Sequence, residues 1–365
     1  MKKTMADLPK TMKACALTGY GHTEIVELPV PAPLPDEVLC KIHAVAICGS
    51  DPNIIGGRYE KMRWPPSFPF VLGHEWAGEV VALGENVDSF RIGDRVAGEG
   101  HCGCGQCENC KRGNYTICLN YGRRELGHRH YGHNDRGANA GFNAYRAKCL
   151  TKMPSSLDYA AGSLCDTGGA ALHGVELGGI TPGGNVAIYG VGPIGLCLLG
   201  MVRNMGADKI IAVGRGHRLR LARTLGADVC VDFEKEDPPA RVKEITGGGG
   251  ADEAFECSGS PTGPADAVNS VRKGGTVVLI GMYDETRVKP LPLLKIVNEQ
   301  IRLVGSKANP NVSDKVVRML DKGIIGWRSI VTHRMPLEKY AEALDIFVNR
   351  RDNVVKMVIE PWAEA

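Results

Sequence analysis

The 365-residue sequence holds no apolar run approaching the roughly 18 residues that a membrane-spanning helix needs. Lys2 and Lys3 are followed by no apolar stretch, so neither a signal peptide nor a transmembrane segment is expected, and a cytoplasmic location is. Neither sign of charge dominates: 44 Lys and Arg stand against 41 Asp and Glu, a net charge of +3. Basic clusters, such as Lys2-Lys3 and Arg123-Arg124, are too short for a nucleic-acid or membrane-surface patch. Internal repeats and low-complexity segments are also missing. What remains is 43% hydrophobic and 23% charged, an ordinary globular composition, long enough for two or three domains behind a loose lead-in over Met1–Leu8. Cysteine is the exception to this list of absences. An odd count of 13 without an export signal points to thiols and metal ligands rather than to a disulfide framework.

Asn185 to Gly206 organises the chain. A short apolar run, Val186 to Tyr189, meets Gly190-Val191-Gly192-Pro193-Ile194-Gly195, and an apolar helical pattern follows from Leu196 to Met205. Strand, glycine turn and helix in that order form the dinucleotide fingerprint. Gly190 makes the tight turn, Gly192 admits a pyrophosphate to the backbone, and Gly195 lets the helix pack on its strand. The helix N-terminus offers free N–H groups to the phosphates. The bland alternative is a glycine-rich βα turn. Around this motif the pattern alternates: strands are expected at 185–190, 209–213, 229–232, 252–257, 276–280 and 301–305, with helices at 193–205, 217–225, 237–246, 262–272 and 291–298. That is an α/β, doubly wound, parallel six-stranded sheet. Before it, from Met12 to Tyr145, short alternating runs (38–46, 77–82, 95–98) broken by Pro and Gly read as all-β. After it come helices at about 312–322 and 336–348 and a last strand, 354–359.

Cys104-x-x-Cys107-x-x-Cys110-x7-Cys118 is the strongest chemical signal. Four thiolates on one short loop can close a tetrahedron around Zn²⁺, as structural sites do. Redox CxxC motifs instead sit near a βαβ pattern, and this loop does not. A sparser set, Cys48, His74 and Cys165-Asp166, has the mixed donors of a catalytic zinc with an open position. Residues so far apart are not joined by spacing, and taken singly they read as a core thiol, a turn histidine and a helix N-cap (Asp166).

CGSD at 48–51, GHEWAGEVVALG at 73–84, GDRV at 93–96, the four-cysteine loop, GVGPIG at 190–195 and the terminal VVKMVI resemble, in order, the zinc-containing medium-chain dehydrogenase/reductase superfamily, within its alcohol, polyol and threonine dehydrogenase branch. The resemblance implies a GroES-like β domain (1–166 and 307–365) that carries the zinc sites and is interrupted by a Rossmann domain (167–306). It also implies two zinc ions per chain and a homodimer or homotetramer. Cys48 and His74 would then be catalytic zinc ligands, with the third position on Asp166 and Cys165 as the fallback one residue away. Glu75 would ligate the metal or stand just behind it, Asp51 would hold the His74 imidazole, and Ser50 would pass the substrate proton outward. Many relatives finish that relay with a histidine where this chain has Asn53, an amide that does not titrate near neutral pH. A ribose hydroxyl, water or a histidine of the 128–133 loop is left to take its place. On their own, His128, His130 and His133 read as solvated loop histidines. Ser258 is expected at the adenine, Ile280 and Gly281 at the nicotinamide, and Lys356 at the pyrophosphate.

The second strand, KIIAV, ends in Gly214 and is followed by Arg215-Gly216-His217-Arg218. NAD binders usually carry an acid about 20 residues beyond the glycine turn, bonded to the ribose 2′-OH. Here that acid is missing and two guanidiniums stand ready for a 2′-phosphate, so NADP(H) is favoured over NAD(H). The alternative makes Arg215 and Arg218 surface residues that open a helix. The expected activity is zinc-dependent hydride transfer between a nicotinamide and an alcohol, a secondary one, or its carbonyl product. An NAD-dependent polyol or amino-alcohol dehydrogenase is the rival enzyme, and a non-catalytic nucleotide- and zinc-binding sensor the rival class. The pocket loops (53–64, 121–135, 282–290) do not reveal the substrate.

Overall fold

The computed structural model describes residues 8–364. The expected lead-in lies outside them except for Leu8, which packs on a core cluster with Met12 and Val71. Among the described residues no helix is long and apolar enough to cross a membrane. The chain divides into two compact units, Met1–Asp166 with Ser313–Asp321 and Val331–Ala365, and Thr167–Val312 with Lys322–Ile330. The boundary expected at 307 therefore falls at Ser313, and 322–330 goes with the second unit. The reason is close packing there: a Cβ on Gly200 would stand 1.8 Å from the Ile324 carbonyl, and Leu225 covers Gly326.

In the second unit the six strands run in the order Val229–Asp232, Lys209–Gly214, Asn185–Tyr189, Ala251–Glu256, Val271–Leu279, Arg302–Gly305. Every pairing is parallel. Such strands are covered on both faces, which is why they read as nearly continuous apolar runs. Helices Pro193–Asn204, Gly216–Thr224, Pro238–Ile245, Gly263–Ser270 and Leu293–Asn298 lie within three residues of expectation. The strand expected at 276 starts at Val271 instead, because Val271 already pairs with Ala251.

The first unit is built on a seven-stranded sheet ordered Leu150–Lys152, Arg95–Gly98, Glu75–Leu83, Glu37–Ala46, Lys356–Glu360, Val331–Pro336, with Phe142–Arg146 also paired to Glu37–Ala46. Helices Ser313–Asp321 and Tyr340–Val348 accompany it. Val331–Pro336, not anticipated, runs parallel to Lys356–Glu360. Register does the important work. Ala46 pairs antiparallel with Glu75, Val358 with Ala46, and Gly98 with Trp76. Residues just past or just before those pairs, Cys48, His74, Gly100 and Lys356, are thereby gathered at one end of the sheet.

Candidate active site and metal centres

Donor atoms of Cys48, His74 and Glu75 all lie within 4.8 Å of one another. Asp51 follows Cys48 into the short helix Ser50–Ile55; its Oδ2 accepts from the Cys48 amide (2.8 Å) and its Oδ1 faces His74 Nδ1 at 3.9 Å. That separation suits an ion pair but exceeds a hydrogen bond. The Ser50 hydroxyl is buried and has no hydrogen-bond partner, as a group reserved for a substrate oxygen would be. Asp166 lies within the field of His74 and Glu75 and accepts from the Gly100 amide, but it is not one of the three tightly gathered donors. It sits in the first turn of helix Cys165–Gly178, not at its cap. The fallback Cys165 is turned elsewhere, its thiol 3.7 Å from the Ser313 carbonyl, in surroundings that push its pKa up by burial.

The donor set fits a divalent cation. Burial opposes charge on His74, yet Cys48, Asp51 and Asp166 overcome it and lift the imidazole to about 10. Negative groups that draw a proton this strongly onto histidine make a good environment for Zn²⁺. Lys356 is the counter-charge. Its ammonium forms an ion pair with Glu75, and both side chains are only 3% exposed. Burial works against that charge, while Glu75 and Cys48 hold its pKa above the usual lysine value. The ammonium expected at the pyrophosphate is thus matched by a carboxylate. The Asn53 amide donates to the Gly49 carbonyl (2.9 Å) and its oxygen accepts from Arg58.

His128, His130 and His133 are not solvated. They are 0%, 3% and 5% exposed, because the turn after the two-residue strand Arg129–His130 folds back onto Trp64, Tyr121 and His101. No local signal announces this; the covering rings come from distant parts of the chain.

The cysteine loop forms a second centre. Sulfur pairs Cys104–Cys110 and Cys107–Cys118 lie 3.9 and 3.8 Å apart. A zinc tetrahedron with ~2.3 Å bonds has edges of about 3.8 Å, so the four sulfurs already have the right spread. Amides of Gln106, Cys107, Cys110 and Asn120 donate to these sulfurs, the arrangement that favours thiolates.

In the second unit, Gly190 has φ +97° and a Cβ there would meet the Ser258 amide at 2.7 Å, while one on Gly195 would strike the Gly190 carbonyl at 1.9 Å. Nothing lies within 4 Å of a Cβ on Gly192, and Pro193 opens the helix at its first position. The central strand Asn185–Tyr189 lies between neighbours reached by opposite crossovers, the switch point where such sheets bind ligands. Glu256, missed in the sequence, ties this edge together. Its fully buried carboxylate accepts from the Ser258 amide and hydroxyl, the Gly259 amide and Tyr283, and its carbonyl accepts from Ile280 and Gly281. An acid closing the apolar strand AFE was the available clue. Arg215 is paired with Glu234 and lies over Phe233; both charged side chains are about half exposed.

The third ligand position, which the resemblance puts on Asp166, sets one expectation. Asp166→Ala should abolish turnover and weaken one metal, whereas Cys165→Ala should leave both largely intact, as read by activity and metal analysis. The reverse pattern would make Cys165 the ligand, and two mild phenotypes would point to Glu75.

Comparison with known proteins gives a coherent result. Residues 34–155 match the model of the alcohol dehydrogenase GroES-like domain, and 193–322 that of the zinc-binding dehydrogenase domain. The chain is 32% identical over 356 residues to sorbitol dehydrogenase of Bacillus subtilis, covering 97% of this chain and 98% of that protein. It is also 32% identical over 360 residues to D-arabitol-phosphate dehydrogenase of Enterococcus avium, with the same coverage. A zinc-binding dehydrogenase of Sinorhizobium meliloti 1021, solved bound to NADP, superposes with a TM-score of 0.87 at 29% identity, over 97% of this chain and 100% of that one.

Proposed function

Because the chain belongs to the zinc-containing medium-chain dehydrogenase/reductase superfamily, we propose that it interconverts a secondary alcohol and its carbonyl with NADP(H), using one zinc at Cys48, His74 and Asp166 and a second at the four-cysteine loop. The observation that carries this reading is the convergence of Cys48, His74 and Glu75 within 4.8 Å, in the field of Asp166, with the partnerless Ser50 hydroxyl two residues after Cys48. A zinc ion held there would supply Lewis acidity, and a nicotinamide held by the glycine turn would supply hydride chemistry. The residues do the rest. Cys48 and His74 orient the site, and Asp51 faces His74 Nδ1 and leaves Nε2 for the metal. Ser50 Oγ would accept the substrate hydroxyl proton as its own hydroxyl proton passes outward to a ribose hydroxyl or water, Glu75 is paired with Lys356, and Glu256 steadies the Ser258 and Ile280–Gly281 segments that border the dinucleotide. A partnerless buried hydroxyl argues against the sensor reading, because binding alone has no use for it.

The Arg215–Glu234 pair favours a second reading, NAD(H), since it occupies a guanidinium meant for phosphate. Exposed pairs contribute about 0–1 kcal/mol, less than the roughly 1.5–3 kcal/mol of a charge-assisted bond, so a 2′-phosphate should displace Glu234. The test is a substrate screen over secondary alcohols, polyols and amino alcohols with both cofactors. We expect kcat/KM with NADP(H) to exceed that with NAD(H) by about tenfold or more, with Arg215→Ala erasing most of the margin and rising salt shrinking it. Equal or better kcat/KM with NAD(H) would leave Arg215 a surface residue. Placing Asp at 214 is a poor way to switch the cofactor, because its Cβ would sit 2.2 Å from Val191 Cγ2. Exposed Leu293, Leu294 and Val297 on one short helix support self-association, dimer or tetramer, as part of the same reading.

A further inference from the structure

We propose that His101, His130 and His133 form a column of stacked rings that positions the His74 imidazole. The inference rests on the reading of His74 as a zinc ligand. His74 is buried, and its Nδ1 has no hydrogen-bond partner; the nearest carboxylate oxygen, on Asp51, stands 3.9 Å away. On the Nδ1 side, then, only the long Asp51 contact and ring packing remain to set the plane of the imidazole, and the packing is the closer of the two. The packing partner is His133, whose ring centroid lies 4.6 Å from that of His74 at an interplanar angle of 57°.

Behind His133 the stack continues. His130 lies parallel to it at 3.7 Å and 8°, and His101 parallel to His130 at 3.9 Å and 17°. The backbone dictates both contacts. His101 is registered opposite His130 in a two-strand ladder, and amides of residues 133, 134 and 135 all donate to the His130 carbonyl, curling His133 back over His130. Trp64 closes the side of the column, edge-on to His130 and His133 at 5.3 and 4.8 Å. Tyr121 contacts His130 Nδ1 through its hydroxyl. With all five side chains of His74, Trp64, His101, His130 and His133 at 6% exposure or less, the column has no room to slide. A ligand histidine is ordinarily oriented by a hydrogen bond to its second nitrogen; here a wall of rings does the same work.

Site-resolved zinc release tests this. The wild type, His130→Ala, His133→Ala and His130→Phe are mixed with a chelating chromophore, and the two metals are followed as separate phases. Both alanine variants should release one zinc about 10–100-fold faster than the wild type while holding the cysteine-loop zinc, the range typical of lost outer support. His130→Phe should release at the wild-type rate, because a flat ring restores the stack without imidazole chemistry. Unchanged release from the alanine variants overturns the column. Faster release of both zincs also overturns it, since that marks general loosening. Fast release from His130→Phe overturns it as well, by making the imidazole nitrogens, not ring packing, the requirement. A wild type that holds only the cysteine-loop zinc sinks the His74 ligand reading itself, and the column with it.

Discussion

Replacing Cys107 and Cys110 with serine should lower bound zinc from about two per chain to about one and make the loop between Cys102 and Asn120 the first part to unfold. The loop has little else to hold it: among the four ligand positions only Cys104 and Cys118 are buried, and its helix Glu108–Lys111 is four residues long. Metal binding in small structural zinc modules carries an apparent ~10–16 kcal/mol, comparable to the ~5–15 kcal/mol stability of a whole domain. Losing two ligands should therefore melt the loop outright. Limited proteolysis should cut within it, while the second unit, whose sheet carries none of the proposed zinc ligands, keeps its protection. Metal analysis together with proteolysis decides the matter; a variant that retains both ions would remove the four sulfurs as the ligand set.

In the metal-free protein, Lys356→Met should cost about 3–5 kcal/mol, the usual consequence of stranding one charge of a buried pair. The residue left behind is Glu75, on the inner sheet strand Glu75–Leu83 and only 3% exposed. Lys356→Met combined with Glu75→Gln should regain much of that loss, because the two effects are coupled and not additive. Urea midpoints at constant slope measure both. A loss below about 1 kcal/mol without metal would show that Glu75 is not a stranded buried charge, and zinc bound at Cys48 and His74 should shrink the cost by offsetting Glu75.

Legibility followed distance along the chain. GVGPIG could be read because turn, close approach and helix start all fall within six residues, and each glycine's role is local. Four cysteines within fifteen positions could be read because a closed metal site on one loop needs no distant partner. The parallel strands showed as apolar runs because both faces are covered. Cys48, His74 and Asp166, by contrast, were connected only through resemblance, since their spacing carries no geometric information.

Sequence alone determined the α/β framework, the dinucleotide turn, the cysteine cluster and the lack of an acid after the second strand. Tertiary structure decided whatever depended on strand register. It set Lys356 on Glu75 because Val358 pairs with Ala46 and Ala46 with Glu75. It buried three histidines that read as solvated, because His101 is registered opposite His130. It turned Cys165 toward Ser313, and it gave Arg215 a carboxylate partner nineteen residues on. Hydrophobic pattern and turn chemistry act over a few residues and so are written locally. Ion pairs and ring stacks form between side chains that only a completed sheet brings together, and a one-residue slip would have paired each of them differently.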